Sequence, residues 1–518
     1  MSEKIIERVA LNFTDLTGAK TGCVKLGSNK FWTGEVVQRA DGLFDFRCRW
    51  GSTGTPGKDK GSKYGIGEAA ALKILRSKTA SKRKKGYTQL DTRTKDDEVA
   101  KAAAQGIDLT KGKKAPVAAP AVVQGRAFHP DVIDLLGIIY GSTARAVTSG
   151  LSSQAGATED NPIGNLSDAQ LDKGGRILDE IGLMLEKRFG HETQGNKGTE
   201  IPLRSGIPNT QILDLTNDYY SNVPRPIGLH QRGRANLHAL VVSSFERLQK
   251  EREFMQLLRD AHLAKATFAA AAAQPKASGS KETVWYDGLG CEIESCALGS
   301  KEHRWVTEVF NKGQSKRNSN WFRNGRCMLH VARVWKFTRQ GSDAAFQRYA
   351  KKVTAKPGAT GNIWGYHGTK TANLLGIGTS GLLMPERLPR GIKTGAAFGS
   401  GIYTAPNWTA TDTMTVGRHR TDGTNGALKS ANYLGIRGSY YGSNNTASRA
   451  YMFLQELALG VPEVLTQASW DQKRPRGWPQ KDWIYACAGG ISTLTHDEVV
   501  TFSGDAQVFR YLMELEVR

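Results

Sequence analysis

The 518-residue chain is short of cysteine, of acidic residues and of long apolar runs. Its six cysteines (Cys23, Cys48, Cys291, Cys296, Cys327 and Cys487) form no CxxC pair and no Cys/His zinc spacing, so neither a disulfide framework nor a structural metal is expected. No stretch approaches the roughly 18 uninterrupted apolar residues of a membrane span, and "MSEKIIERVA" has no secretory character. No membrane partner and no secretion are therefore expected. No internal repeat is found. Base outweighs acid: 71 Lys and Arg stand against 49 Asp and Glu, a formal net charge of +22. Half of that excess sits in residues 1–114, which hold 24 Lys/Arg and 13 Asp/Glu. Such a balance points to a polyanionic partner, because cations that neutralise phosphates release condensed counterions. General solubility is the plain alternative.

Two stretches without usable periodicity divide the chain, "AAAQGIDLTKGKKAPVAAPAVVQG" (102–125) and "TFAAAAAQPKASGSKE" (267–282). The division expected is a domain at 1–110, a linker at 111–127, a helical domain at 128–266, a linker at 267–283 and a last domain at 284–518. In the first, "KFWTGEVVQRADGLFDFRCRW" reads as a strand, an Ala-Asp-Gly turn and a second strand with Phe44, Phe46, Cys48 and Trp50 on one face. A Gly-rich loop and the basic helix "GEAAALKILRSKTASKRKKGY" follow. This small sheet with one helix resembles the WGR domain, a nucleic-acid-binding module named for a Trp-Gly-Arg strand. Trp50 and Gly51 match, whereas Ser52 stands where the family has arginine. Candidate DNA-binding residues are Lys58, Lys60, Lys63, Lys82, Arg83, Lys84 and Lys85, with Trp50 either a stacking platform or a core residue. "SKRKKG" is equally a solvated tail or a localisation signal.

The middle domain is helical: "HPDVIDLLGIIYGSTARAV" and "LSDAQLDKGGRILDEIGLMLEKRF" place apolar residues at helical spacing, Ile177, Ile181, Met184 and Leu185 among them, with Ser167 as an N-cap. "TQILDLTNDYYSNVP" predicts a helix ending before Pro224, and "LHALVVSSFERLQKEREFMQLLRDAH" a long amphipathic one. "NPIGNLSDAQL" followed by "TQILDLTNDYYSNVP" resembles the regulatory helical domain of DNA-dependent poly(ADP-ribose) polymerases.

Residues 284–518 return to strands, such as "RCMLHVARVWKFTR" and "NIWGYHGT". The ordered phrases "YHGTKTANLLGIGTSGLL", "FGSGIYTAP", "LKSANYLG" and "HDEVVTFSGDAQVFRYLMELEV" resemble the ADP-ribosyltransferase domain of the same family. That resemblance implies a His-Tyr-Glu triad of His367, Tyr403 and Glu498. It also implies that His367 holds an adenosine-ribose hydroxyl, that Gly368 and Ser430 grip a nicotinamide carboxamide, and that Tyr433 stacks on its ring. Thr369 and Asn373 fall where the family touches adenosine. Asp497 is the rival of Glu498. Thr409 and Thr411 offer an alternative alignment to Ser430, which would leave Tyr433 without a role. Two departures stand out: the insertion 406–428, and one residue more between Glu498 and "AQV" than the family pattern has, which requires a bulge. "ERLPRGIKTGAAF" (386–398) lies where the family's loop borders the acceptor.

The expected fold is thus multidomain α+β: a small sheet with a helix, an all-α regulatory domain, and a mixed α/β ADP-ribosyltransferase domain of two packed, mainly antiparallel sheets. The activity implied is NAD+-dependent ADP-ribosyl transfer to protein acceptors, the enzyme itself included, switched on by DNA breaks or nicks. NAD+ is the co-substrate and no metal is required. Polymer formation is favoured by the glutamate; single transfer and an inert DNA-binding protein are the alternatives. Residence would be nuclear in a eukaryotic host and cytoplasmic otherwise.

Overall fold

The computed structural model describes residues 3–16, 28–53, 55–90, 125–151, 157–159, 162–164, 166–189, 210–225, 240–274, 279–313, 329–384, 398–407, 426–431, 433–435, 447–467, 472–487 and 497–517. Most of the 111–127 linker, residues 385–397 of the acceptor-side loop and residues 408–425 of the insertion, with Thr409 and Thr411, lie outside them. The chain divides into one unit of Met1–Val122 with Ala144–Ala273, and a second of Val123–Thr143 with Gln274–Arg518. These units cut across the sequence segments, because the first long helix contributes to both.

In the first unit, β1 (Lys4–Asp15), β2 (Ser28–Gln38), β3 (Phe44–Ser52), β4 (Lys58–Asp59), β5 (Lys63–Ile66) and β6 (Thr88–Leu90) form a sheet in the order β4-β3-β2-β1-β6, with β5 also on β3. The expected turn closes between Arg39 and Leu43, where Gly42 supplies a φ of 83°. Helix α1 (Glu68–Lys84) lays Ala71 and Leu75 over Val9, Leu11, Trp32, Val36, Phe46 and Cys48. From Val9 onward β1 is buried without alternation. Its other side is covered too: Asn12 donates to the Tyr220 carbonyl, and the Thr14 and Leu16 amides donate to Ser221 Oγ and Asn217 Oδ1. A strand covered on both faces has no solvent side for polar residues.

Those partners lie on the helices of this unit: residues 144–150 of α2 (Pro130–Gly150), α3 (Asp168–Phe189), α4 (Thr210–Asn222), α5 (Phe245–Leu263) and α6 (Lys265–Ala272). Ser167 caps α3 as its sequence indicates, exchanging hydrogen bonds with Gln170. The long helix foreseen from Leu237 instead begins at Phe245, where Ser244 accepts from the Arg247 amide. Adjacent valines and serines disfavour the helical start, and the Val242 amide donates to Thr216 Oγ1 instead. Beneath it, buried Glu251 accepts from Tyr219, Tyr220 and Arg225.

The second unit contains α7 (Ser280–Leu289), β7 (Cys291–Cys296), α8 (Lys301–Lys312), β8 (Leu329–Arg339), α9 (Ser342–Thr354), β9 (Gly361–Thr369), α10 (Leu374–Ser380), β10 (Ile402–Asn407), α11 (Gly426–Ala431), β11 (Arg449–Leu459), β12 (Pro462–Leu465), β13 (Trp483–Ala486), β14 (Glu498–Thr501) and β15 (Gln507–Val517). Two packed, mainly antiparallel sheets are expected from the sequence. The structure has two sets of paired strands that share β10 and so form one path of nine, β12-β13-β14-β10-β9-β11-β15-β8-β7, with β12 and β13 its only parallel pair among the described residues. The joint is β10: Ala405–Asn407 pair with β9, while Ile402–Thr404 pair with β14. Between Glu498 and Gln507, where a bulge is expected, β14 pairs without a register shift and a 3-10 turn, Gly504–Ala506, capped by Ser503, leads into β15. Residues 130–143 of α2 belong here. Arg333 joins Asp131 and Asp134 to the buried Glu514 of β15.

Candidate active site

The partner switch along β10 creates a fork, because beyond Ala405↔Tyr366 the backbones of β9 and β10 no longer pair. His367 stands at that point, and its imidazole hydrogen-bonds the backbone of Tyr403. Burial pushes its pKa down to about 4, so the ring is neutral near pH 7.

On β10, the Tyr403 phenol is clamped by one loop. The Phe398 amide donates to it at 2.9 Å, and it donates to the Gly399 carbonyl at 2.8 Å. Gly399 adopts φ 100°, and a Cβ there would stand 2.4 Å from the Gln472 carbonyl oxygen, so only glycine fits. Burial first, then the charge of Glu498 and the nearby Tyr433, raise the pKa of this phenol. Glu498 opens β14 and is 7% exposed. Its rival Asp497 accepts a hydrogen bond from Tyr485 at 2.7 Å.

The opposite wall is α11 and the turn after it. A Cβ on Gly368 would lie 1.9 Å from the Ser430 carbonyl oxygen, so glycine is the price of this approach. That carbonyl also accepts from the Tyr433 amide at 3.1 Å, while the buried Ser430 hydroxyl donates to the Tyr366 carbonyl at 2.9 Å. Asn373, at the start of α10, donates to Thr369 Oγ1 at 3.0 Å. The structure thus brings His367, Gly368, Tyr403, Ser430, Tyr433 and Glu498 to the fork, with Thr369 and Asn373 just beyond the histidine. Sequence reading missed Phe398 and Gly399; the glycine of "FGSG" was the available signal.

The basic residues lie in the first unit. Trp50 is 39% exposed at the end of β3, not a core residue, and pairs across the ladder with Lys58. Lys58, Lys60, Lys63, Arg83, Lys84 and Lys85 are exposed. Lys82 is half-buried over the Tyr87 ring, and its pKa is lowered first by burial and then by Lys85, Lys30 and Lys78. Lys30 and Lys78 extend the cluster beyond the residues named from sequence. Among the described residues no group of three His, Cys, Asp or Glu is arranged to hold a metal ion, and no helix is long and apolar enough to cross a membrane.

Residues 7–94 match the WGR domain, and residues 127–281 match the poly(ADP-ribose) polymerase regulatory domain. The chain is 24% identical over 453 residues to protein mono-ADP-ribosyltransferase PARP3 of Homo sapiens, covering 84% of this chain and 70% of that protein. It is also 24% identical to poly [ADP-ribose] polymerase 1 of Arabidopsis thaliana, over 61% of this chain and 25% of that protein. PARP3 of Gallus gallus is 24% identical over 66% of this chain and 50% of its own length. Two domain matches in sequence order and relatives of one kind agree: the chain carries a WGR domain followed by a poly(ADP-ribose) polymerase regulatory domain and is similar to members of the poly(ADP-ribose) polymerase family.

Proposed function

We propose that the chain is an NAD+-dependent ADP-ribosyltransferase, activated by DNA breaks and forming poly(ADP-ribose) on protein acceptors, itself included. The observation that carries this reading is the fork between β9 and β10, where a half-buried neutral histidine, a clamped phenol and a buried carboxylate stand around a glycine with no room for a side chain. Cleavage of the C1′–N bond sends its electron pair to nicotinamide, which departs neutral without a general acid, and leaves oxocarbenium character on the ribose. The protein's tasks are to fix the dinucleotide and oppose that charge.

In this reading Gly368 presents its backbone to the carboxamide. Ser430, its proton held by the Tyr366 carbonyl, offers lone pairs to the carboxamide N–H. Tyr433 stacks on the pyridine ring and Tyr403 walls the pocket. His367 holds an adenosine-ribose hydroxyl, with Thr369 and Asn373 on the adenosine side. Glu498 binds the 2′-hydroxyl of the nicotinamide ribose, faces the developing positive charge and orients the acceptor hydroxyl, whose oxygen bonds to C1′ as its proton leaves. Trp50 and the lysines around it supply a stacking and phosphate-binding surface, and the boundaries 1–110, 128–266 and 284–518 describe sensor, regulator and catalyst.

Labelled NAD+ given to wild type and Glu498→Gln, with and without nicked DNA, tests the reading. A smear on a denaturing gel that requires both the carboxylate and DNA is expected. Unchanged polymer from the variant, or equal labelling without DNA, would refute the corresponding assignment. Single transfer is a second reading, favoured by one observation: the relative matched over the largest share of this chain here is named a mono-ADP-ribosyltransferase. A sharp DNA-dependent band would establish it. No label with retained DNA binding would mark an inert protein.

A further inference from the structure

Two hydroxyls of helix α2 are shared between their own helix and a turn outside it. Thr143, fully buried, donates to the Ala372 carbonyl at 2.8 Å, a closer partner than the Ile139 carbonyl one turn back at 3.2 Å. Ser142 lies 3.2 Å from the Thr371 carbonyl and 3.3 Å from the Ile139 carbonyl of its own helix. A threonine inside a helix ordinarily bonds the preceding turn, so this sharing reflects a partner brought by the fold. Both acceptors belong to the 3-10 turn Thr371–Asn373, which joins β9 to α10. Within that turn Asn373 reaches back to Thr369, two residues past His367. Lys370, preceding it, runs along Gly435, where a Cβ would stand 3.1 Å from the lysine Cγ.

The helix is a firm support at this position. Tyr140 donates to the Trp285 carbonyl at 2.8 Å and stacks on the Trp285 ring at 5.2 Å. Nearer its start, Arg333 pairs with Asp131 and Asp134. The turn is therefore held from outside by α2 while its Asn373–Thr369 side borders the fork. Ser142 and Thr143 touch none of the candidate catalytic groups.

We infer that Thr143, assisted by Ser142, is a positioning residue for the adenosine half of the dinucleotide, acting through the 371–373 turn. This rests on the NAD+ reading above. A tie that served stability alone would lower the unfolding temperature without distinguishing one half of the ligand from the other.

The experiment uses the full chain and two calorimetric titrations: ADP-ribose, which carries the adenosine half, and benzamide, an isostere of nicotinamide alone. Thr143→Val keeps the branched shape and removes the donor. ADP-ribose binding is expected to weaken about fivefold, the weight of one net hydrogen bond. Benzamide binding stays within about twofold, Thr143→Ser restores ADP-ribose binding, and in Thr143→Val KM for NAD+ rises with kcat unchanged. Ser142→Ala gives the same split at about twofold, and carries the comparison if Thr143→Val does not fold. Equal weakening of both ligands, or no weakening of either, overturns the positioning role. Wild type that binds neither ligand overturns the NAD+ reading itself, and this inference with it.

Discussion

Gly368→Ala is the sharpest perturbation of the fork. The new methyl carbon would stand 1.9 Å from the Ser430 carbonyl oxygen and 2.7 Å from its carbonyl carbon. Ordinary contact begins near 3.4 Å, so α11 or the end of β9 must yield by more than 1 Å. Neither element yields freely, because Ser430 and Tyr433 are bonded to the Tyr366 carbonyl and to the same turn, and β9 is paired along its length with β11. Overpacking of this kind costs about 1–3 kcal/mol of stability. A displacement of about 1 Å at a reacting centre costs on the order of 100-fold in rate. Nicotinamide release from NAD+ measures kcat/KM, and benzamide titration measures the pocket alone; both should fall by about two orders of magnitude while the protein remains folded at 25 °C. Gly137→Ala, in α2 with open space around it, is the control. It should leave both values unchanged and add about 0.5–1 kcal/mol of stability through helix propensity. Wild-type kcat/KM in Gly368→Ala would refute the close approach and the wall built on it.

Three further outcomes follow from the same coordinates. Arg333→Ala removes the closest partner of the nearly inaccessible Glu514 and the ion pairs to Asp131 and Asp134, so thermal unfolding should report a loss of about 3–5 kcal/mol, reduced to the extent that Arg449, also paired with Glu514, compensates. Trp50→Ala should weaken single-stranded DNA binding at all salt concentrations, while Lys58→Ala or Lys84→Ala should lower the slope of log K against log salt by about one each; unchanged slopes would remove these lysines from the interface.

Two groups with shifted pKa values give opposite pH dependences. His367 has its pKa depressed to about 4, so the unfolded chain binds the extra proton between that value and the ordinary histidine range near 6.5. Stability falls as pH drops through this window, by about 3 kcal/mol overall. Asp260 has its pKa raised by burial to about 6, so its contribution is complete below the unfolded value near 3.8 and is lost as pH rises to 6. Denaturant titrations from pH 4 to 7 should show His367→Asn losing the first slope and Asp260→Asn the second; parallel profiles would exclude both assignments.

Local patterns were legible where chemistry is local. The turn at Gly42, the Ser167 cap, the strand that carries His367 near its end and the helix ending before Pro224 all follow from residues a few positions apart. The fork residues were named through family resemblance, not through any spacing rule, and Trp50 stood between core and surface until its exposure was seen. What stayed hidden was set by partners far along the chain. The late start of α5 follows from Val242 bonding Thr216, and the clamp on Tyr403 closes through a loop held against Gln472.

By itself the sequence determined the basic charge, the order of sheet, helices and second sheet, and the residue types available for chemistry, because composition, periodicity and turn residues act over a few positions. Only the tertiary structure decided that β10 leaves β9 for β14, that the His367 imidazole meets the Tyr403 backbone there, and that Thr143 bonds Ala372 across 229 positions of sequence. Hydrogen bonds and close packing are satisfied by whatever groups the fold brings within about 3 Å, and distance along the chain carries no record of that encounter.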